Sequence, residues 1–157
     1  EYGFSDTAAT DSSGTAEYLD QSYGQYLFTL TDPDYELYSL VPESATRGEF
    51  TASAGVATNV SAVVLPKNIG SVKVRVENQA DNSALAGASV RLSNALVPYD
   101  VVVQTNQFGD AYFPVALPAL PAGDYDIAVS LVGYDNETST VTIGAVLQSV
   151  TIQMTAD

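Results

Sequence analysis

Thr105-Asn106-Gln107-Phe108-Gly109-Asp110-Ala111-Tyr112-Phe113 has an earlier counterpart in Thr10-Asp11-Ser12-Ser13-Gly14-Thr15-Ala16-Glu17-Tyr18, and the two stretches align residue for residue. Each opens with Thr and an Asx residue, reaches Gly three positions later, and ends on an aromatic two positions after an Ala. That is turn chemistry running into a strand. Working outward, Gly24-Gln25-Tyr26-Leu27-Phe28-Thr29-Leu30 lies over Gly123-Asp124-Tyr125-Asp126-Ile127-Ala128-Val129, and Tyr35 lies over Tyr134 at the same spacing. The Ser53-Ala54-Gly55 corner with Val60, Ala62 and Val64 lies over Thr142-Ile143-Gly144 with Val150, Ile152 and Met154. Four blocks in one order mark an internal repeat and predict two related domains.

The segments read as strands. Val72, Val74 and Val76 alternate with Lys73, Arg75 and Glu77, and Tyr125, Ile127 and Val129 alternate with Asp126, Ala128 and Ser130, so each has one buried and one wet side. Tyr26, Phe28 and Leu30 repeat that pattern in the first copy. Turn residues separate the runs, Pro118 and Pro121 oppose a helix over 115–122, and no stretch carries a capped helical period. The fold expected is all-β: two tandem antiparallel Ig-like or transthyretin-like β-sandwiches, 1–67 and 68–157, joined near Pro66-Lys67-Asn68-Ile69-Gly70.

The copies are unequal. Ahead of Thr105 stand three strand-like runs, 71–77, 88–92 and 99–103, whereas only nine residues precede Thr10, room for one strand over Phe4 to Ala9. The expectation is therefore an incomplete first sandwich lacking two strands and a complete seven-stranded second one.

Composition removes whole classes of function. With no Cys, His or Trp there are no disulfides, no thiol or Ser–His catalysis and no His-based metal site. Five Lys+Arg against 19 Asp+Glu give a net charge of -14, which excludes nucleic acid as a partner. Hydrophobic residues at 46% support a packed core. With 15% charged residues the polar surface is mostly Ser, Thr, Asn and Gln. Apolar runs such as Ala62-Val63-Val64-Leu65 have strand length, far short of the roughly 18–20 residues of a membrane span. The chain opens at Glu1 without Met or a basic segment, so the expectation is that any targeting segment is already absent.

The runs Val72–Val76, Leu85-Ala86-Gly87-Ala88-Ser89-Val90-Arg91-Leu92, Thr105–Gly109, Gly123–Val129 and Gly133-Tyr134 together resemble the carboxypeptidase-regulatory-like domains, which belong with transthyretin-like and Cna-B-like β-sandwiches. The resemblance covers nearly all of 70–157 and the later part of 1–67. It implies the sandwich fold, but such domains serve as stalks, adhesin repeats, filament subunits and enzyme appendages, so it does not choose a role. Some Cna-B relatives carry an intramolecular Lys–Asn bond. Lys73 stands on a suitable first strand, yet Val150–Thr155 offers no Asn or Asp, so the cross-link is not expected and Lys73 reads as a solvated side chain.

Few residues are left for chemistry. Asp32, Asp34 and Glu36 crowd one turn and have the ligand type for a hard cation, but they lack EF-hand spacing, are absent from the second copy at 131–135, and read as solvated acids. No metal, cofactor or catalytic group is expected, and the protein is not read as an enzyme. Asn59 and Asn136 head N-x-Ser/Thr triplets, possible glycosylation sites on a secreted protein. Tyr26, Tyr125, Tyr35 and Tyr134 are repeat-equivalent and read as packed rings with tethered hydroxyls. Tyr2, Phe4, Tyr18, Tyr23 and Tyr38 are not so explained, and a subunit contact is the reading for them.

The missing strands would leave unpaired backbone, at about 1–3 kcal/mol for each buried unsatisfied group, and a strand edge open to another chain. They could come from a longer precursor, a companion pilin-like chain or a neighbouring copy, or the first domain could be a smaller variant with a shifted sheet. The function expected is an extracellular, cell-surface structural subunit of a filament or pilus. The alternative is a carbohydrate-binding or adhesive module of a larger secreted protein, with tyrosines stacking on glycans.

Overall fold

The computed structural model describes residues 5–18, 22–115 and 118–157. The fold is all-β, with eleven strands and no helix among the described residues: β1 Gly24–Leu27, β2 Tyr35–Val41, β3 Glu49–Ala52, β4 Ser61–Pro66, β5 Ser71–Asn78, β6 Ser89–Asn94, β7 Tyr99–Gln104, β8 Asp110–Phe113, β9 Gly123–Ser130, β10 Glu137–Ile143 and β11 Leu147–Met154.

From β5 onward the chain is a β-sandwich. A four-stranded sheet, β10-β9-β6-β7, faces a three-stranded one, β11-β5-β8. All ladders are antiparallel except β11 with β5, which is parallel. Period-two patterning does the sorting. Val72, Val74 and Val76 of β5 are fully buried against Tyr125, Ile127 and Val129 of β9 within one cluster, while Lys73 and Arg75 point to the outer face. Each such side chain taken from water contributes about 1.5–3 kcal/mol. Gly109, which closes the turn into β8, is held at φ +75°, and a Cβ there would stand 2.5 Å from the Val76 carbonyl. Only glycine fits both the left-handed backbone and that close approach.

Ahead of β5 the chain is thinner. β1 pairs with β3 and β2 with β4, giving two separate two-stranded sheets. Leu40 and Leu65 are the buried hydrophobic residues here, whereas 18 form the cluster of the second half. β2 has no counterpart in the second half. It pairs with β4 antiparallel, with a bulge between Leu37 and Ser39, whereas the strand aligned with β4, β11, takes β5 as its neighbour. The chain thus supplies β4 with a ladder partner in β2.

One expected strand is not formed. Residues 5–9, the described part of Phe4–Ala9, carry no strand. The reason is pairing. β7, the aligned strand of the second half, is held by β6, whereas no strand of the described residues pairs with 5–9. An extended segment without a ladder neighbour satisfies its backbone in water instead.

Candidate functional site

The outer face of the β11-β5-β8 sheet is partly covered by the first half, and this seam gathers three of the five cations of the chain. Arg47, in the loop before β3, donates from Nη2 to Asp110 Oδ2 at 2.5 Å and stacks its guanidinium 4.6 Å from the Phe108 ring centroid. Arg75 on β5 reaches Asp110 Oδ1 at 3.6 Å and Glu77 Oε1 at 2.5 Å. Lys73 Nζ meets Glu36 Oε1 of β2 at 2.6 Å, so the lysine expected to be solvated is ion-paired. Asp110 is only 1% exposed, which makes its charge dependent on both guanidiniums. Beside it the Tyr38 hydroxyl donates to the Asp110 carbonyl at 3.0 Å and its ring tilts against Tyr112, centroids 6.3 Å apart. Burial pushes the Tyr38 hydroxyl above the usual tyrosine range, the Asp110 charge adds to this, and Arg47 opposes it.

The second feature is a pair of turns with matching hydrogen bonds. In the later one, Asn106 Oδ1 accepts from the N–H groups of Phe108 (2.9 Å) and Asp110 (3.1 Å). Asn106 N–H donates to the Asp110 carbonyl, and Gly109 N–H to the Asn106 carbonyl, both at 2.9 Å. In the earlier one, Asp11 Oδ1 accepts from Ser13 (2.8 Å) and Thr15 (3.0 Å). Asp11 N–H donates to the Thr15 carbonyl at 2.9 Å, and Gly14 N–H to the Asp11 carbonyl at 3.0 Å. The Ser13 hydroxyl, then the Thr15 and Ser13 amides, hold the Asp11 carboxyl below its ordinary range. The turns match; their arms do not. Ala111 and Phe113, after the later turn, are fully buried in β8, laddered to β5 with Val74 opposite Ala111 and Val72 opposite Phe113. Their aligned partners are exposed: Ala16 faces water and Tyr18 is 43% exposed, its hydroxyl accepting the Ala8 N–H at 3.2 Å.

No family model matches the chain. Nor does any curated protein. Solved structures do give matches. Klebsiella pneumoniae 5-hydroxyisourate hydrolase is 18% identical, with 57% of this chain and 92% of that one covered and a TM-score of 0.46. The group B streptococcus pilus 2b backbone protein is 12% identical over 83% of this chain and 53% of that one, TM-score 0.48. GBS52, a minor pilin of Streptococcus agalactiae, is 18% identical over 81% and 62%, TM-score 0.47. The chain spans less than two thirds of the length of either pilus protein.

The remaining expected site residues fall as follows. Asp32 accepts the Asp34 N–H at 2.9 Å and Glu36 is committed to Lys73, so the three acids do not converge, and no group of metal-ligating side chains forms among the described residues. Asn59 and Asn136 are both exposed. Tyr23 is 74% exposed, whereas Tyr38 is taken up by the seam within the chain. Tyr2 and Phe4 lie outside the described residues. Among the repeat-equivalent tyrosines, Tyr125 donates to the Pro121 carbonyl at 3.0 Å and Tyr26 to the Ser22 carbonyl, the same four-residue tether. Tyr134 packs against the core, but Tyr35 is 42% exposed, because it opens the unmatched strand β2. No helix of the described residues is long and apolar enough to cross a membrane. Sequence reading missed Arg47, Arg75 and Asp110 as a set. The available signal was rarity: an arginine alone in an acid-rich half must be held by something.

Proposed function

We propose that the chain is a non-enzymatic extracellular structural protein, the globular subunit of a surface filament or pilus. In this reading it consists of two tandem related units, 1–67 and 68–157, and the first, lacking its two leading strands, is completed by β structure from a partner. The observation that carries the reading is the contrast between the matching turns. The hydrogen bonds of 106–110 recur at 11–15, yet among the described residues only the later arms have strand neighbours. The seam supports it in a second way, since a rod needs consecutive units that do not pivot freely, and buried ion pairs fix orientation.

Gold-labelled antibody against this chain, applied to intact cells, should decorate filaments along their length. Labelling confined to the cytoplasm, or scattered without any filament, would refute the assignment. Amide exchange then tests the completion: residues 5–18 should exchange freely in the isolated chain and be protected in the filament.

A second reading, an adhesive or carbohydrate-binding module, is favoured by the exposure of Tyr23 and Tyr18. Loss of cell or glycan adhesion in Tyr23→Ala, with filaments intact, would select it.

A further inference from the structure

The strand that completes residues 5–18 can be described chemically. In the second half, the arm after the turn is laddered to β5, which alternates Val72, Val74 and Val76 inward with Lys73 and Arg75 outward. The inward valines stand beside Ala111 and Phe113 on the same sheet face, and the outward cations meet Asp110 and Glu36. The same two inward positions in the first half, Ala16 and Tyr18, are uncovered. Charge in this part of the sequence is lopsided. Of the 19 acidic residues ten precede Lys67, and Arg47 is the only base in that stretch. Arg47 is itself consumed by Asp110. A strand docking on 5–18 meets Asp6, Asp11 and Glu17 with no base in the same segment, beside the exposed Ala16 and Tyr18.

We propose that residues 5–18 accept a strand from a different protein, and that this strand alternates branched apolar residues with Lys or Arg. The proposal rests on the strand-completion reading above and adds the identity of the donor. Strand addition supplies the backbone bonds, apolar side chains opposite Ala16 and Tyr18 supply the burial, and alternate cations on the other face answer the acids. A second copy of this chain is a poor donor. Its net charge is -14, four of its five cations are already in ion pairs, and its cationic strand β5 is laddered on both edges, to β11 and β8.

The test tethers candidate strands to the full chain. An extra copy of Ser71–Val76 is fused ahead of Glu1 through a Gly-Ser linker of about ten residues, which makes docking intramolecular. A second fusion carries Lys73→Glu and Arg75→Glu in the added copy only. A third scrambles the added copy to remove its alternation. Amide exchange over 5–18 should slow at least tenfold in the first fusion and not in the other two. Protection in the first should weaken several-fold when NaCl is raised from about 50 to 500 mM, as surface charge is screened. Equal protection by the cationic and acidic fusions would overturn the charge claim and leave strand completion standing. Equal protection by the scrambled fusion would overturn the donor pattern. Protection in none of the three would overturn strand completion itself. Reversible self-association of the unmodified chain that protects 15–18 would make a second copy the donor and overturn this proposal alone.

Discussion

Replacing Arg47 with Met should destabilise the protein by about 2–3 kcal/mol, and the figure follows from what Asp110 is left with. Its carboxylate is 1% exposed and would lose the guanidinium at 2.5 Å, keeping only the Arg75 contact at 3.6 Å. Removing one partner of a fully buried pair costs about 3–5 kcal/mol. Arg47 is 26% exposed, so water entering the vacated space softens the loss. Loss of the stack on Phe108 adds about 0.5–1 kcal/mol, and methionine recovers part of the apolar contact. Arg91 with Asp100 is the internal control. It has good two-bond geometry, 2.7 and 2.6 Å, but its side chains are 52% and 58% exposed to screening water, so Arg91→Met should cost far less than Arg47→Met. Urea unfolding followed by circular dichroism measures both, and adding 0.5 M NaCl should shrink the Arg91 effect more than the Arg47 effect. A double-mutant cycle of Arg47→Met with Asp110→Asn should give a coupling energy of about 1.5 kcal/mol or more. Equal small costs for Arg47 and Arg91, or no coupling with Asp110, would refute the seam as an energetic link.

Three further outcomes follow from the same geometry. Phe113→Ala should cost about 3–5 kcal/mol, whereas Tyr18→Ala, its aligned counterpart, should stay within about 0.5 kcal/mol in the isolated chain; thermal melts of the pair check this. Tyr125→Phe removes a hydroxyl bonded to the Pro121 carbonyl and should cost about 0.5–1.5 kcal/mol by denaturant titration, more than Tyr26→Phe in its half-exposed site. Burial pushes the pKa of Tyr38, Tyr99 and Tyr125 above the usual tyrosine range, so the folded state holds these protons more tightly than the unfolded one. Stability should be flat below the unfolded value near 10 and fall as pH rises beyond it, and an ultraviolet titration of the ten tyrosines should show a late group that ionises as the protein unfolds.

Much of the second half could be read in advance because its strands bury one face each. Alternation at Val72–Val76 and Tyr125–Val129 states directly which side chains enter the core, and the structure places them there. The turn at 106–109 was legible for the same reason, since Asx and Gly at fixed spacing specify local hydrogen bonds that need nothing distant. The first half was less legible because what decides it is pairing over long sequence separation. β2 runs Tyr35-Glu36-Leu37-Tyr38-Ser39-Leu40-Val41, and its bulge at Tyr38 breaks the period that would have announced a strand. Residues 5–9 show the converse error: a stretch expected to be a strand carries none where no described strand lies beside it. The seam escaped notice because Arg47, Arg75 and Asp110 are far apart in sequence and share no motif.

The two halves also differ in what can keep them ordered. Fixing one residue costs about 1–2 kcal/mol of backbone entropy. Against that, the described residues before β5 set two short ladders and the burial of Leu40 and Leu65. Such a segment is marginal as an independent unit. Its order is borrowed from the second sandwich through Tyr38, Glu36 and Arg47, all of which lie on or beside β2 and β3. Among the described residues the arms 5–18 have no comparable attachment, and their turn is closed by local bonds. Breaking the seam with Arg47→Met should therefore speed amide exchange in β2 and β4 and leave exchange over 5–18 unchanged; equal acceleration in 5–18 would show that the arms are held by the seam after all.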